Sequence, residues 1–135
     1  MAPANTHAEI LLVEDEAMLR TAIQRILRAQ GYSVAALGDG TALEEYLASG
    51  ASPRLLLLDL CVPRLDLATV RRAQRPGGPL ASTTLLVMSG LDEAPHAASA
   101  LGAAGCLLKP FDLSELLGAV ARFGRTRTSL RPPTL

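Results

Sequence analysis

Short apolar runs alternate along the chain with segments whose apolar residues recur every three or four positions. Residues 9–14 ("EILLVE"), 32–37 ("YSVAAL"), 54–59 ("RLLLLD"), 83–89 ("TTLLVMS") and 105–108 ("GCLL") have the length and continuous apolar character of buried strands. In residues 17–30, Met18, Ala22 and Ile26 form one row, with Leu19, Ile23 and Leu27 beside it. That i, i+4 spacing predicts a helix, which Gly31 would cap. Thr41 and Glu44 have capping-box spacing and predict a helix from there to about Ala48, closed by Gly50 and Pro53. A short helix is expected over residues 67–74, ending before Pro76. Another is expected over 95–101, with Pro95 in its first turn. The last would open at Asp112, with Glu115 three residues on and Leu113, Leu116, Leu117 and Val120 facing inward.

Continuous apolar strands alternating with helices specify an α/β fold, a (βα)5 doubly wound parallel sheet of five strands covered on both faces. Right-handed crossovers leave few topologies, of which the flavodoxin-like order 2-1-3-4-5 makes the first and third strands neighbours. The chain has 135 residues, enough for one domain. Its boundaries are read as a disordered lead-in over 1–8, the domain over 9–123 and a disordered tail over 124–135. Apolar residues make up 49% of the chain and there is no Trp, so the core must be aliphatic. Thirteen basic residues balance thirteen acidic ones, and overall charge gives no reason to expect nucleic acid. Arg122, Arg125, Arg127 and Arg131 read as a solvated tail. Cys61 and Cys106 lack metal-ligand spacing and read as reduced packing thiols. No run approaches the length of a membrane span, and the first residues lack the basic and apolar regions of a signal peptide. Cytoplasmic placement is expected.

Ligands of open parallel sheets bind beyond the carboxyl ends of the strands, where strand order reverses. The residues there are Glu14 and Asp15, Asp59, Ser89 and Gly90, and Lys109 and Pro110. The second strand ends in "GDG", read as a plain turn. Taken singly, each residue is ordinary: Glu14 and Asp15 would suit a helix N-terminus, Ser89 a turn, and Lys109 the surface. Together they are not. A buried unpaired carboxylate is costly, and three acids at one place repel each other unless cations intervene. The Lys109 ammonium and one divalent cation would balance them formally. Mg²⁺ suits such a site, since it prefers oxygen ligands and accepts one or two carboxylates with phosphate and water.

The pieces "ILLVEDE", "LLLLDLCVP", "LLVMSG" and "LLKPF", in this order and spacing, resemble the receiver domain of bacterial two-component response regulators. The resemblance covers residues 9–123. It implies that Asp59 accepts a phosphoryl group from a phosphohistidine, and that Asp15 binds Mg²⁺ directly with Glu14 bound directly or through water. It further implies that the backbone carbonyl of Cys61 completes the protein ligands. Lys109 would pair with Asp59 and then with the phosphoryl group, which the Ser89 hydroxyl and the Gly90 amide would also contact. The Lys109–Pro110 bond would be cis. Cys106 stands where the family usually has Tyr, Phe or His, a switch position, and is too small to move between two pockets as an aromatic does. The usual Gly after Asp66 is replaced by Leu67, implying a stiffer loop. Leu91 occupies a position that tunes the lifetime of the phosphorylated state.

The implied function is that of a phosphoacceptor switch, with at most weak self-phosphorylation and self-dephosphorylation. The phosphodonor would be a histidine kinase or histidine phosphotransfer protein, and the output contact with an unknown downstream protein. The chain would be a stand-alone regulator or the receiver of a larger protein such as a hybrid sensor kinase. Two alternatives stand beside this: a pseudo-receiver that only binds proteins, and a small-molecule phosphohydrolase with Asp59 as nucleophile. The hydrolase would want a second acid where Cys61 stands. His7 and His96 fall at no strand end and read as solvent residues.

Overall fold

The apolar runs of the inner strands become strands because each can bury both of its faces. A computed structural model describes residues 8–90 and 94–123. In chain order the elements are β1 (Ile10–Val13), α1 (Ala17–Ala29), β2 (Val34–Leu37), α2 (Gly40–Ala48), β3 (Leu55–Asp59), α3 (Leu67–Ala73), β4 (Thr84–Ser89), α4 (Ala94–Ala100), β5 (Gly105–Leu108) and α5 (Leu113–Phe123). All ladders are parallel and the sheet order is β2-β1-β3-β4-β5. The expected fold class and strand order are those observed. Strand boundaries are drawn in by one or two residues at β1, β2, β3 and β4.

Successive strand residues point to opposite faces, so every strand feeds two cores. Leu11, Val13, Leu56, Leu58, Leu85 and Val87 pack against Leu43 and Leu47 of α2, Val70 of α3 and Ala98 of α4. Ile10, Leu12, Leu55, Leu57, Leu86 and Met88 pack against Ile23 and Leu27 of α1 and Leu116 and Val120 of α5. Each buried leucine contributes roughly 2 kcal/mol. Four leucines in a row are therefore shared two and two between the layers. Ala8, placed in the lead-in, is buried in the first of these cores. The remaining lead-in and the tail lie outside the described residues. Among the described residues no helix is long and apolar enough to cross a membrane.

Helix ends follow local chemistry. Gly31, at φ 97°, closes α1: its N–H donates to Arg28 O at 2.9 Å, and that of Tyr32 to Leu27 O at 3.2 Å. This is the Schellman arrangement that glycine favours. The start of α5 carries the expected reciprocal box, with Asp112 N–H donating to Glu115 Oε1 and Glu115 N–H to Asp112 Oδ1, both at 2.9 Å. The start of α2 differs from expectation. Asp39 caps it, accepting from Ala42 N–H at 2.8 Å, and Thr41 Oγ1 instead accepts from Arg64 Nε at 3.2 Å. Two other expected faces are corrected. Met18 is 81% exposed and Leu113 49% exposed; Ala22 is exposed and Ile26 half-buried. Neighbouring rows on a helix diverge in direction, and only the Leu19, Ile23, Leu27 row lies over the sheet.

The "GDG" segment is more than a plain turn. A Cβ on Gly40 would collide with the Arg64 carbonyl, and Gly40 N–H donates to Pro63 O at 2.8 Å. The loop after β3 therefore rests on the first turn of α2. Arg64 has φ 59° there.

These contacts set expected stabilities. Leu57→Ala should cost about 2–5 kcal/mol in denaturant unfolding, whereas Met18→Ala should stay within about 0.5 kcal/mol. The Ala42 N–H holds the Asp39 carboxyl below its ordinary pKa, and the Glu115 N–H does the same for Asp112. A depressed folded value means the contribution is present above the unfolded pKa, about 4, and is lost as pH falls through the folded value. Asp39→Ala should lower Tm by about 2–6 °C at neutral pH. The difference should shrink as pH falls below the unfolded value and through the lower folded one, as thermal melts across pH would register.

Candidate functional site

Sheet register brings the polar strand ends together. Val13 stands opposite Leu58, so Glu14 emerges beside Asp59. Asp59 stands opposite Met88, one residue before Ser89. Ser89 stands opposite Leu108, one residue before Lys109. The Lys109 N–H donates to Ser89 O at 2.9 Å, carrying the ladder past β5. Because strand order reverses around β1, the gap between helices opens above β1 and β3.

Lys109 Nζ sits between two carboxylates, donating to Glu14 Oε1 at 2.7 Å and to Asp59 Oδ2 at 2.8 Å. Each acid has a second partner on its own loop. Glu14 Oε2 accepts from Glu16 N–H at 3.1 Å, and Asp59 Oδ1 from Cys61 N–H at 2.9 Å. Glu14 is 0% exposed, Asp59 2% and Ser89 0%. The apolar run of β3 thus ends in a buried carboxylate that is fully partnered.

Burial pushes the Glu14 carboxyl above its ordinary pKa, although hydrogen bonds from Lys109 and Glu16 work against that. Burial alone would lower the Lys109 amine, but its hydrogen bonds to Asp59 and Glu14 outweigh burial and raise it. The Lys109 contribution to stability is therefore present below its unfolded pKa, about 10.4, and is lost as pH rises through the higher folded value. Glu14 runs the other way: its raised value means that ionising it as pH rises works against folding.

Asp15 is exposed, unlike Glu14 and Asp59. One carboxylate oxygen each from Glu14, Asp15 and Asp59 lies within 4.8 Å of the others. Three carboxylates against one ammonium leave two negative charges, and the donors are all oxygen. That donor set fits a hard divalent cation. Glu14 already accepts a proton-bearing partner at each oxygen, so lysine anchoring is part of its role beside any metal contact. Cys61 reaches the site through its main chain, and its thiol is exposed.

Ser89 lies at the same rim through its place in the ladder, and Gly90 adjoins Lys109, since a Cβ there would lie 3.8 Å from Lys109 Cβ. The Lys109–Pro110 bond is cis. Cys106 lies further back, opposite Val87, and packs toward the α2–α3–α4 layer. Burial raises its thiol pKa. Leu91 lies outside the described residues.

Arg20 of α1 was not anticipated. Its Nη1 donates to Glu14 O at 2.9 Å and to Asp15 O at 3.4 Å. The available signal was an arginine one turn after the acids, which also fits an ordinary helix surface.

The chain is similar to known proteins in sequence and in fold. The chain resembles Response regulator MprA of Mycobacterium ulcerans (strain Agy99), being 37% identical over 123 residues, which cover 90% of this chain and 51% of that protein. The chain thus spans about half the length of the curated relatives it matches. A solved receiver domain from Bermanella marisrubri has a TM-score of 0.71 and 34% identity, covering 84% of this chain and 95% of that one. Chemotaxis response regulator CheY4 of Vibrio cholerae has a TM-score of 0.74 and 26% identity, covering 87% and 98%. Residues 10–121 match the family model described as the response regulator receiver domain. That match runs from β1 into α5, through every strand that supplies a rim residue, and the chain therefore belongs to the response regulator receiver domain family.

Proposed function

We propose that this chain is a phosphoacceptor switch in which Asp59 takes a phosphoryl group from the phosphohistidine of a histidine kinase or histidine phosphotransfer protein. The observation that carries the reading is the convergence of Lys109 Nζ on Glu14 and Asp59 at 2.7 and 2.8 Å, next to the exposed Asp15. In this reading an oxygen of the Asp59 carboxylate attacks phosphorus as the phosphorus–nitrogen bond breaks, and the imidazole keeps the departing electron pair. Phosphoryl transfer asks the protein mainly for positioning and charge stabilisation.

Each residue then has a defined task. The Cys61 N–H and the Lys109 ammonium fix the Asp59 carboxylate from two sides. Lys109 exchanges its hold on Asp59 for a phosphoryl oxygen. The Ser89 hydroxyl and the Gly90 N–H receive further phosphoryl oxygens. Glu14 and Asp15, with Asp59 and the Cys61 carbonyl, would hold Mg²⁺, which when bound offsets charge on the phosphoryl oxygens. Glu14 also keeps Lys109 in place. Output is protein–protein contact. With Cys106 in place of a swinging aromatic, the readout runs through Ser89 and the rim loops as a shift between states.

Incubation with Mg²⁺ and a small phosphodonor, followed by intact mass, tests the reading. The wild type should gain one phosphoryl group, and Asp59→Asn should gain none. Chelating Mg²⁺ should abolish the gain. Lys109→Ala should slow phosphorylation by about 10²–10³-fold, the scale for losing one charge-stabilising donor. Turnover of many phosphoesters, or no modification of the wild type, would sink the proposal.

A further inference from the structure

The acidic turn after β1 is held at almost every polar group. The Glu14 N–H donates to Leu37 O at 3.0 Å. The Glu14 carboxylate is shared between Lys109 and the Glu16 N–H. The Glu14 carbonyl, buried with the rest of the residue, is satisfied by Arg20 Nη1 at 2.9 Å. The same nitrogen makes a longer bond to Asp15 O, at 3.4 Å. The Asp15 carboxylate has no hydrogen bond or ion pair among the described residues. Its aim is therefore set by the backbone of residues 14 and 15, and Arg20 is the side chain that holds that backbone. Room for the guanidinium comes from Gly38, just past β2: a Cβ there would lie 3.0 Å from Arg20 Nη1.

We infer that Arg20 is a positioning residue that clamps the carbonyls of Glu14 and Asp15 and so pre-aims Asp15 as a divalent-cation ligand. The inference rests on the reading of the acidic cluster as a cation site. A plain charge effect would have the opposite sign. Arg20 brings positive charge toward three acids, so by Coulomb's law alone its removal should tighten cation binding. Loss of the clamp should weaken binding, because the freed turn must be ordered again when the cation arrives and the buried Glu14 carbonyl loses its donor.

Calorimetric titration of the full chain with Mg²⁺ decides between the two. Arg20→Met should bind about 10-fold more weakly than wild type, the lower end of the range for losing a residue that orients a metal ligand. Arg20→Lys keeps the charge, but its shorter stem does not carry a nitrogen to the place from which Nη1 meets both carbonyls, and it should also bind more weakly. Gly38→Ala leaves Arg20 in the sequence but displaces its tip, and should lower affinity by a smaller factor. In the metal-free protein, amide hydrogen exchange at residues 15 and 16 should be faster in all three variants, a readout independent of phosphorylation. Wild-type or tighter Mg²⁺ binding by folded Arg20→Met overturns the inference while leaving the cation site standing. Should that variant fail to fold, wild-type affinity in both Arg20→Lys and Gly38→Ala overturns it equally. Failure of the wild type itself to bind Mg²⁺ overturns the cation reading, and this inference with it.

Discussion

Two carboxylates are buried at the rim of this sheet, and one ammonium makes that possible. Glu14 and Asp59 are almost wholly removed from water, a placement that an unpaired charge could not sustain. Lys109 is the chain's one lysine, and it bonds both acids at once. A compact ammonium on a flexible stem can meet acceptors from two different strand ends at once. Backbone N–H groups of Glu16 and Cys61 supply what the amine does not. The apolar strands can then run to the rim without leaving an orphaned charge at their ends.

The same arithmetic leaves the cluster short of positive charge. One ammonium leaves two of the three negative charges unanswered, and the acid it does not touch, Asp15, is the exposed one. The cluster is buried at Glu14 and Asp59, which strengthens its electrostatics, and open to solvent at Asp15. Register does the assembling. Four strand ends separated widely in sequence fall within a single layer because each ladder advances by one residue at the rim.

Legibility from sequence followed the range of the forces involved. Strand order, both layers and the set of rim residues were readable because they rest on apolar continuity and on which residue ends each run. The α5 box at Asp112 and Glu115 was readable because it is local. The α2 cap was misplaced because Asp39 and Thr41 both lie near the helix start, and the choice depends on Arg64 drawing Thr41 away from the capping role. Arg20, Gly38 and Gly40 escaped for a related reason. Arg20 and Gly40 act through the backbone of a different loop, and Gly38 through the room it leaves the Arg20 side chain; such contacts leave no period in the sequence. Glu14 was read as a metal ligand, and its bond to Lys109 needed the register of β1, β3, β4 and β5 to become visible.

The loop after Asp59 shows how magnitude, rather than the number of contacts, decides what holds it. Arg64 pairs with Asp39 at 3.1 Å, but its side chain is 67% exposed, and exposed ion pairs are worth about 0–1 kcal/mol. Its left-handed backbone costs more for a residue with a Cβ, about 1–2 kcal/mol. The pair at best offsets part of that cost. What remains is the approach of two main chains, with Gly40 N–H on Pro63 O and no side chain at residue 40 to hold them apart. The tie between α2 and the loop that begins at Asp59 is thus a backbone contact made possible by one glycine, and the visible salt bridge is secondary to it.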